Sequence, residues 1–205
     1  MAVTRTGILG GAFDPPHLGH VALARAAIEH FALERLLVLV VEDPGHKRTT
    51  APAEIRLALT RLAFEEVPGA EVELDPHART VDSLEERHYP DDTVFVIGAD
   101  ELADFPEWKQ PERVLELVRL GVAMRPGVSE GQLEDVRARP QAPGRIEYFE
   151  LDPMAVSSTE IRERLTRGEP VDGLVPAKVA DEIARLGLYT GAEYTELEEE
   201  RTQTD

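Results

Sequence analysis

The chain contains no cysteine, which excludes a disulfide framework, a thiolate metal site and a cysteine nucleophile. It is also poor in positive charge. Lys and Arg total 22 against 40 Asp and Glu, giving a net charge of −18 and an isoelectric point near 4.7. That balance argues against a nucleic-acid partner, whose phosphates call for a broad surface of clustered Lys and Arg. If the ligand is anionic, the few basic groups must be gathered locally. No apolar run approaches the ~20 residues that span a bilayer, and the opening M-A-V-T-R-T-G carries no signal-peptide core. A cytoplasmic protein without a membrane partner is therefore expected. Only one tryptophan is present, Trp108.

At 205 residues with 42% hydrophobic content, the chain can build one domain with a sizeable core. No linker or internal repeat divides it. The expected domain spans 1–191, and the acidic remainder, 192–205, has the composition of a disordered tail.

Apolar runs alternate with helical patterns throughout. Strands are expected from near residue 3, then at 36–41, 72–74, 93–97, 120–124 and 146–151. The run L-L-V-L-V-V at 36–41 is continuous, as in a strand buried on both faces of a parallel sheet. Helices are expected from about residue 18, at 52–66 with Ile55, Leu59, Leu62 and Ala63 on one face, from R-T-V-D-S-L-E, at 111–118, from S-S-T-E-I-R, and at 176–186. Residues 128–144 read as a helix fragment and surface loop. This alternation implies an α/β, doubly wound, mostly parallel sheet of Rossmann-like type. Strand order is not legible at this level.

The most specific stretch is 7–20, G-I-L-G-G-A-F-D-P-P-H-L-G-H. Gly10 and Gly11 let the backbone approach a ligand closely, and Asp14 with two prolines makes a turn. His17 and His20 are three residues apart at a helix start, whose positive end favours an anion such as phosphate. Zinc is disfavoured, because no cysteine and no evident third ligand accompany the pair.

Other strand ends carry polar clusters: His46-Lys47-Arg48, Gly98-Ala99-Asp100 and Arg125-Pro126-Gly127. In a parallel sheet these share one edge, the edge where ligands bind. Ser157-Ser158-Thr159 opens a helix with Ser158 or Thr159 as N-cap, and Arg162 follows one turn later. That is either a second anion site or a plain cap with a solvated arginine. Asp100 can accept from a ribose hydroxyl or cap the next helix. Trp108 can stack on a heteroaromatic ring or fill a core. His30, His77 and His88 read as surface residues.

The opening string resembles the G-G-x-F-D-P-x-H-x-G-H signature of the nucleotidylyltransferase superfamily. Further pieces narrow the likeness: H-K after the second strand, F-V-I-G-A-D-E-L-A-D-F-P-E-W, R-P-G, V-S-S-T-E-I-R-E-R-L and the closing L-V-P-A-K-V-A-D-E-I-A-R-L-G-L-Y. With these, residues 7–189 are similar to the bacterial nicotinate-nucleotide adenylyltransferase family. Arg79-Thr80 and E-D-P-G depart from the family's usual Tyr-Thr and Asn-Pro-Pro. The resemblance implies an enzyme that joins nicotinate mononucleotide and ATP into a dinucleotide, releasing pyrophosphate, with Mg²⁺ carried on the ATP phosphates. It implies catalytic roles for His17, His20 and Arg162. ATP would also meet Gly10, Gly11, Phe13, Gly98, Asp100, Arg125, Ser158 and Thr159. The mononucleotide would meet Lys47, Ser83, Trp108 and Lys109. Preference for the amide mononucleotide, a pantetheine-phosphate adenylyltransferase, or a silent nucleotide binder on the same fold stand as alternatives. A homo-oligomer is left open.

Overall fold

The computed structural model describes residues 5–45, 49–124, 144–152 and 154–190. His46, Lys47, Arg48, Arg125, most of the expected 128–144 loop and the acidic tail lie outside the described residues.

Six strands form one sheet: β1 (Thr6–Gly11), β2 (Arg35–Val41), β3 (Ala70–Asp75), β4 (Val94–Gly98), β5 (Arg119–Met124) and β6 (Ile146–Glu150). Their spatial order is β3-β2-β1-β4-β5-β6. Every pairing is parallel, so the mostly parallel expectation becomes fully parallel among the described strands. The carboxyl ends of all six strands therefore face one edge. The order reverses between β1 and β4, and β1 is the strand that carries the glycine turn. In open α/β sheets that reversal opens the crevice that ligands occupy.

The helices are α1 (Leu18–Phe31), α2 (Ala53–Phe64), α3 (Thr80–Arg87), α4 (Ala99–Asp104), α5 (Pro111–Leu117), α6 (Ser158–Thr166) and α7 (Ala177–Leu186). A single 3₁₀ turn, Phe105–Glu107, joins α4 to the loop before α5. Strand residues alternate between two cores. Leu9, Leu36, Val38, Val40, Val94 and Val96 share one with buried side chains of α1, α2, α6 and α7. Ile8, Leu37, Leu39, Phe95, Ile97, Leu120 and Val122 share the other with α3, α4 and α5. Burial on both faces explains why these strands read as unbroken apolar runs. Each fully buried Ile or Leu contributes about 1.5–3 kcal/mol.

The buried face of α2 differs from the apolar stripe expected there. It runs through Arg56, Leu59, Thr60, Ala63 and Phe64, with Ile55 and Leu62 only partly covered. A cation and a hydroxyl hold positions that periodicity assigns to hydrocarbon. Thr60 resolves its own burial by donating to the Arg56 carbonyl at 2.6 Å. The burial of Arg56 belongs to the site above it.

Candidate active site

β1 ends at Gly11 and α1 begins at Leu18, with His17 as its extended N-cap (φ −142°, ψ 171°). Between them, Phe13 adopts a left-handed backbone (φ 49°). Its ring is 2% exposed and meets the His20 ring edge-on at 4.9 Å. The Phe13 ring thus supports His20 from the core side.

The two imidazoles stack, their centroids 3.6 Å apart and their planes 21° from parallel. The backbone N–H of His17 donates to Nδ1 of His20 at 3.2 Å, which places the proton of a neutral His20 ring on Nε2. His17 is 8% exposed, and burial pushes its pKa down to about 4. Near pH 7 it is neutral, so it meets an anion as an N–H dipole rather than as a charge. Two stacked rings this close would repel if both were charged. Among the described residues, Nδ1 of His17 is buried without a hydrogen-bond partner. The glycine between the histidines has a steric reason. A Cβ at Gly19 would lie 3.0 Å from His17 Nδ1 and 3.1 Å from Val156 Cγ1. At Gly10, a Cβ would come within 3.3 Å of the Phe95 ring, so this glycine serves packing as well as approach.

The second expected anion site is joined to the first. Ser157, rather than Ser158 or Thr159, is the N-cap of α6, its Oγ accepting from the Glu160 N–H at 3.1 Å. That releases Ser158 to donate to the Pro15 carbonyl at 2.9 Å. Arg162 donates to the Asp14 carbonyl at 2.6 Å and to Thr159 Oγ1 at 3.3 Å. Both acceptors are neutral, and among the described residues Arg162 makes no ion pair, so its charge is not offset by a carboxylate.

Beneath the turn lies a junction that motif reading missed. Asp14, 3% exposed, accepts from Thr50 N–H (2.6 Å), Ala51 N–H (3.1 Å) and the Tyr189 hydroxyl (2.8 Å). Arg56 has no exposed surface. Its Nε donates to Ala51 O (3.0 Å), Nη1 to Ala12 O (2.6 Å) and Val41 O (2.9 Å), and Nη2 to Glu42 O (2.7 Å). Burial lowers its pKa while the nearby Asp14 raises it; a guanidinium stays charged even so. The carboxyl ends of β1 and β2 are thus tied together by one buried cation. In sequence Arg56 falls on the same side of α2 as Leu59 and Ala63, but nothing there distinguishes it from a solvated arginine.

On the other side of β1, Gly98 is the N-cap of α4, and its N–H already donates to Glu101 Oε2 at 2.8 Å. Asp100 is exposed in the first turn. Trp108 is partly buried, edge-on to Phe105 at 5.3 Å and to Phe95 at 6.1 Å. Lys109 donates twice to Asp82, at 2.7 and 2.9 Å, so its ammonium is engaged by a carboxylate rather than held ready for one. Ser83 is buried, with Oγ enclosed and unpartnered among the described residues. Its hydroxyl points to no open surface. His77 lies at the surface, where it has partners of its own. It bridges Asp75 (2.9 Å) and Glu86 (2.8 Å), and the Asp75 hydrogen bond raises its pKa. Among the described residues there is no group of three or more His, Asp or Glu that could hold a metal, and no helix long and apolar enough to cross a membrane.

A parallel sheet whose order reverses under a glycine turn, with paired imidazoles and an unpaired arginine on its carboxyl edge, has the architecture of a nucleotide-binding α/β protein. Residues 8–164 match the cytidylyltransferase-like family model, and the chain belongs to that family. It is 38% identical over 202 residues to a Thermomicrobium roseum protein named "Probable nicotinate-nucleotide adenylyltransferase", covering 93% of this chain and 94% of that one. It is 40% identical over 193 residues to a Thermus thermophilus protein of the same name, covering 90% and 99%. Among solved structures, a Plasmodium falciparum nicotinic acid mononucleotide adenylyltransferase complexed with NaAD superposes with a TM-score of 0.71 at 18% identity. That match covers 91% of this chain and 98% of the other.

Proposed function

We propose that this chain is a nicotinate-nucleotide adenylyltransferase, acting in the biosynthesis of NAD. A phosphate oxygen of nicotinate mononucleotide attacks the α-phosphorus of ATP. The new P–O bond forms as the bond to the β-phosphate oxygen breaks, and pyrophosphate leaves with that electron pair. The nucleophile belongs to the substrate, so the protein has to align two anions and stabilise the charge that develops between them. The observation that carries the reading is the fusion of the two anion sites. Arg162 and Ser158 grip the backbone of the same turn that presents His17 and His20.

In this reading His20, with its proton on Nε2, donates to the α-phosphate, and neutral His17 donates beside it. Arg162, with the α6 amino end at Ser158 and Thr159, takes the β- and γ-phosphates. Gly98 and Asp100 border the adenosine, and Trp108 stacks on the pyridine. Asp14 has its carboxylate oxygens occupied, so Mg²⁺ would be held by triphosphate oxygens and water, where it neutralises phosphate charge. The substrates are small cytoplasmic metabolites.

The test is pyrophosphate release from ATP, measured with the acid and amide mononucleotides under identical salt and Mg²⁺. Release that depends on nicotinate mononucleotide, with kcat/KM at least roughly tenfold above the amide (~1.4 kcal/mol), is expected. Equal values would make the enzyme dual-specific. No release with either would overturn the reading.

A further inference from the structure

The family match ends at residue 164, yet the segment beyond it reaches back to the catalytic turn twice. The Leu174 carbonyl accepts the Leu18 N–H at 2.9 Å, which occupies the first amide of α1. The Tyr189 hydroxyl donates to Asp14 Oδ1 at 2.8 Å across 175 residues of sequence. Tyr189 is 3% exposed and held in a left-handed backbone (φ 62°) just after the Gly187 cap of α7. Its carbonyl accepts from Thr166 Oγ1 at 3.2 Å, tying it to the last residue of α6.

Asp14 is therefore gripped at both ends. Its carboxylate is fixed by Thr50, Ala51 and Tyr189, and its carbonyl receives Arg162. The carbonyl that orients Arg162 moves with the residue whose side chain Tyr189 holds. Three residues on stands His17. We infer that Tyr189 is a positioning residue for adenylyl transfer: acting through Asp14, its hydroxyl sets the Arg162 guanidinium and the histidine pair in register. The inference rests on the function proposed above. It adds that this function depends on a hydroxyl outside the matched segment, which touches neither substrate.

Charge and burial favour a role beyond packing. A tyrosine ring alone would fill the same core, as Leu188 beside it does. A buried carboxylate, by contrast, needs its acceptors met. Two of the donors are backbone amides of the 50–51 segment; the third is the only one supplied by a side chain. Without it, Asp14 keeps the Thr50 and Ala51 amides but loses the tie to residue 189, and its carboxylate is held from the 50–51 segment alone. A displacement of about 1 Å in an active site can cost roughly a hundredfold in rate.

Tyr189→Phe retains the ring and the backbone and removes only the hydroxyl. Leu188→Ala is the control, because it loosens the same segment without a polar contact to the turn. Steady-state kinetics at a temperature well below both melting transitions, and calorimetric titration with a non-hydrolysable ATP analogue, are the two readouts. For Tyr189→Phe the expectation is a kcat about tenfold lower, an ATP KM and analogue Kd raised several-fold, and a mononucleotide KM within about twofold of the parent. Leu188→Ala should melt at least as early as Tyr189→Phe and keep the parental kcat. Parental kcat and analogue affinity in Tyr189→Phe would overturn the inference, and so would equal kinetic losses in both variants, which would reduce Tyr189 to packing. If the parent makes no dinucleotide but Tyr189→Phe alone weakens the analogue, the functional reading fails while the positioning of the ATP site stands.

Discussion

His17 combines two demands that conflict. An anion site favours a charged imidazole, but burial holds this ring neutral, its pKa near 4. The consequence for stability has a definite sign. In the unfolded chain the ring titrates near 6.5, so between about pH 6.5 and 4 the unfolded state binds the extra proton. Stability from the neutral ring is fully present above pH 6.5 and is lost as the pH falls toward 4, in total about 3 kcal/mol. Urea unfolding at pH 7.5 and pH 5 should show the parent losing about 2 kcal/mol more than His17→Gln, which has no such titration. Parallel pH dependences would mean that the ring is protonated in the folded protein. The stacked geometry makes the same point from the other side, because a cationic His17 would lie 3.6 Å from His20.

At the scale of elements, α3 and the Trp108 segment meet through one ion pair, Lys109 with Asp82. The resemblance sets Lys109 among the mononucleotide contacts, and the structure gives its ammonium Asp82 as a partner. Paired, each cancels the other, and the approach to the pyridine site loses a negative charge. Lys109→Met should therefore expose Asp82 and lower the preference for acid over amide by about threefold (~0.6 kcal/mol). The effect is kept small because both side chains are part-exposed. Adding Asp82→Asn should restore the parental ratio. An unchanged ratio in Lys109→Met would place the pair away from the pyridine.

The same scale shows what sequence could tell. β2, β4 and β5 were located to within a residue or two, because burial on both faces leaves an unbroken apolar run with no competing pattern. The N-cap of α6 was misplaced by a residue, since Ser157, Ser158 and Thr159 all have the chemistry and only backbone angles choose among them. His17, His20 and Arg162 were legible as a set because two histidines and an arginine lie in the first turns of two helices at one sheet edge. Arg56 was not singled out, and Tyr189 was legible only as the last residue of the closing L-Y motif, without a role. A buried arginine looks like a solvated one until the carbonyls that satisfy it are placed in space, and the partner of Tyr189 lies 175 residues away. The double hydrogen bond of Lys109 to Asp82 spans 27 residues and was equally invisible.

Over the whole molecule, a net charge of −18 opposes the arrival of two anionic substrates. The favourable groups act locally: Arg162, the buried Arg56 and the amino ends of α1 and α6, whose influence fades within about a turn. The repulsive field is spread over the surface and extends into solvent, where salt screens it with a Debye length of about 10 Å at 0.1 M. Screening therefore removes more of the repulsion than of the attraction. With Mg²⁺ and pH fixed, raising ionic strength from about 20 to about 150 mM should raise kcat/KM for nicotinate mononucleotide about two- to threefold. A basic nucleotide-binding surface would show the opposite trend. Nicotinamide mononucleotide carries one negative charge fewer and supplies an internal control. Its gain should be smaller, so the preference for the acid should widen as salt is added. A kcat/KM that falls steadily from the lowest salt would show that the local cations dominate the approach of substrate. Equal gains for both mononucleotides would show that the field acts on the shared phosphate alone.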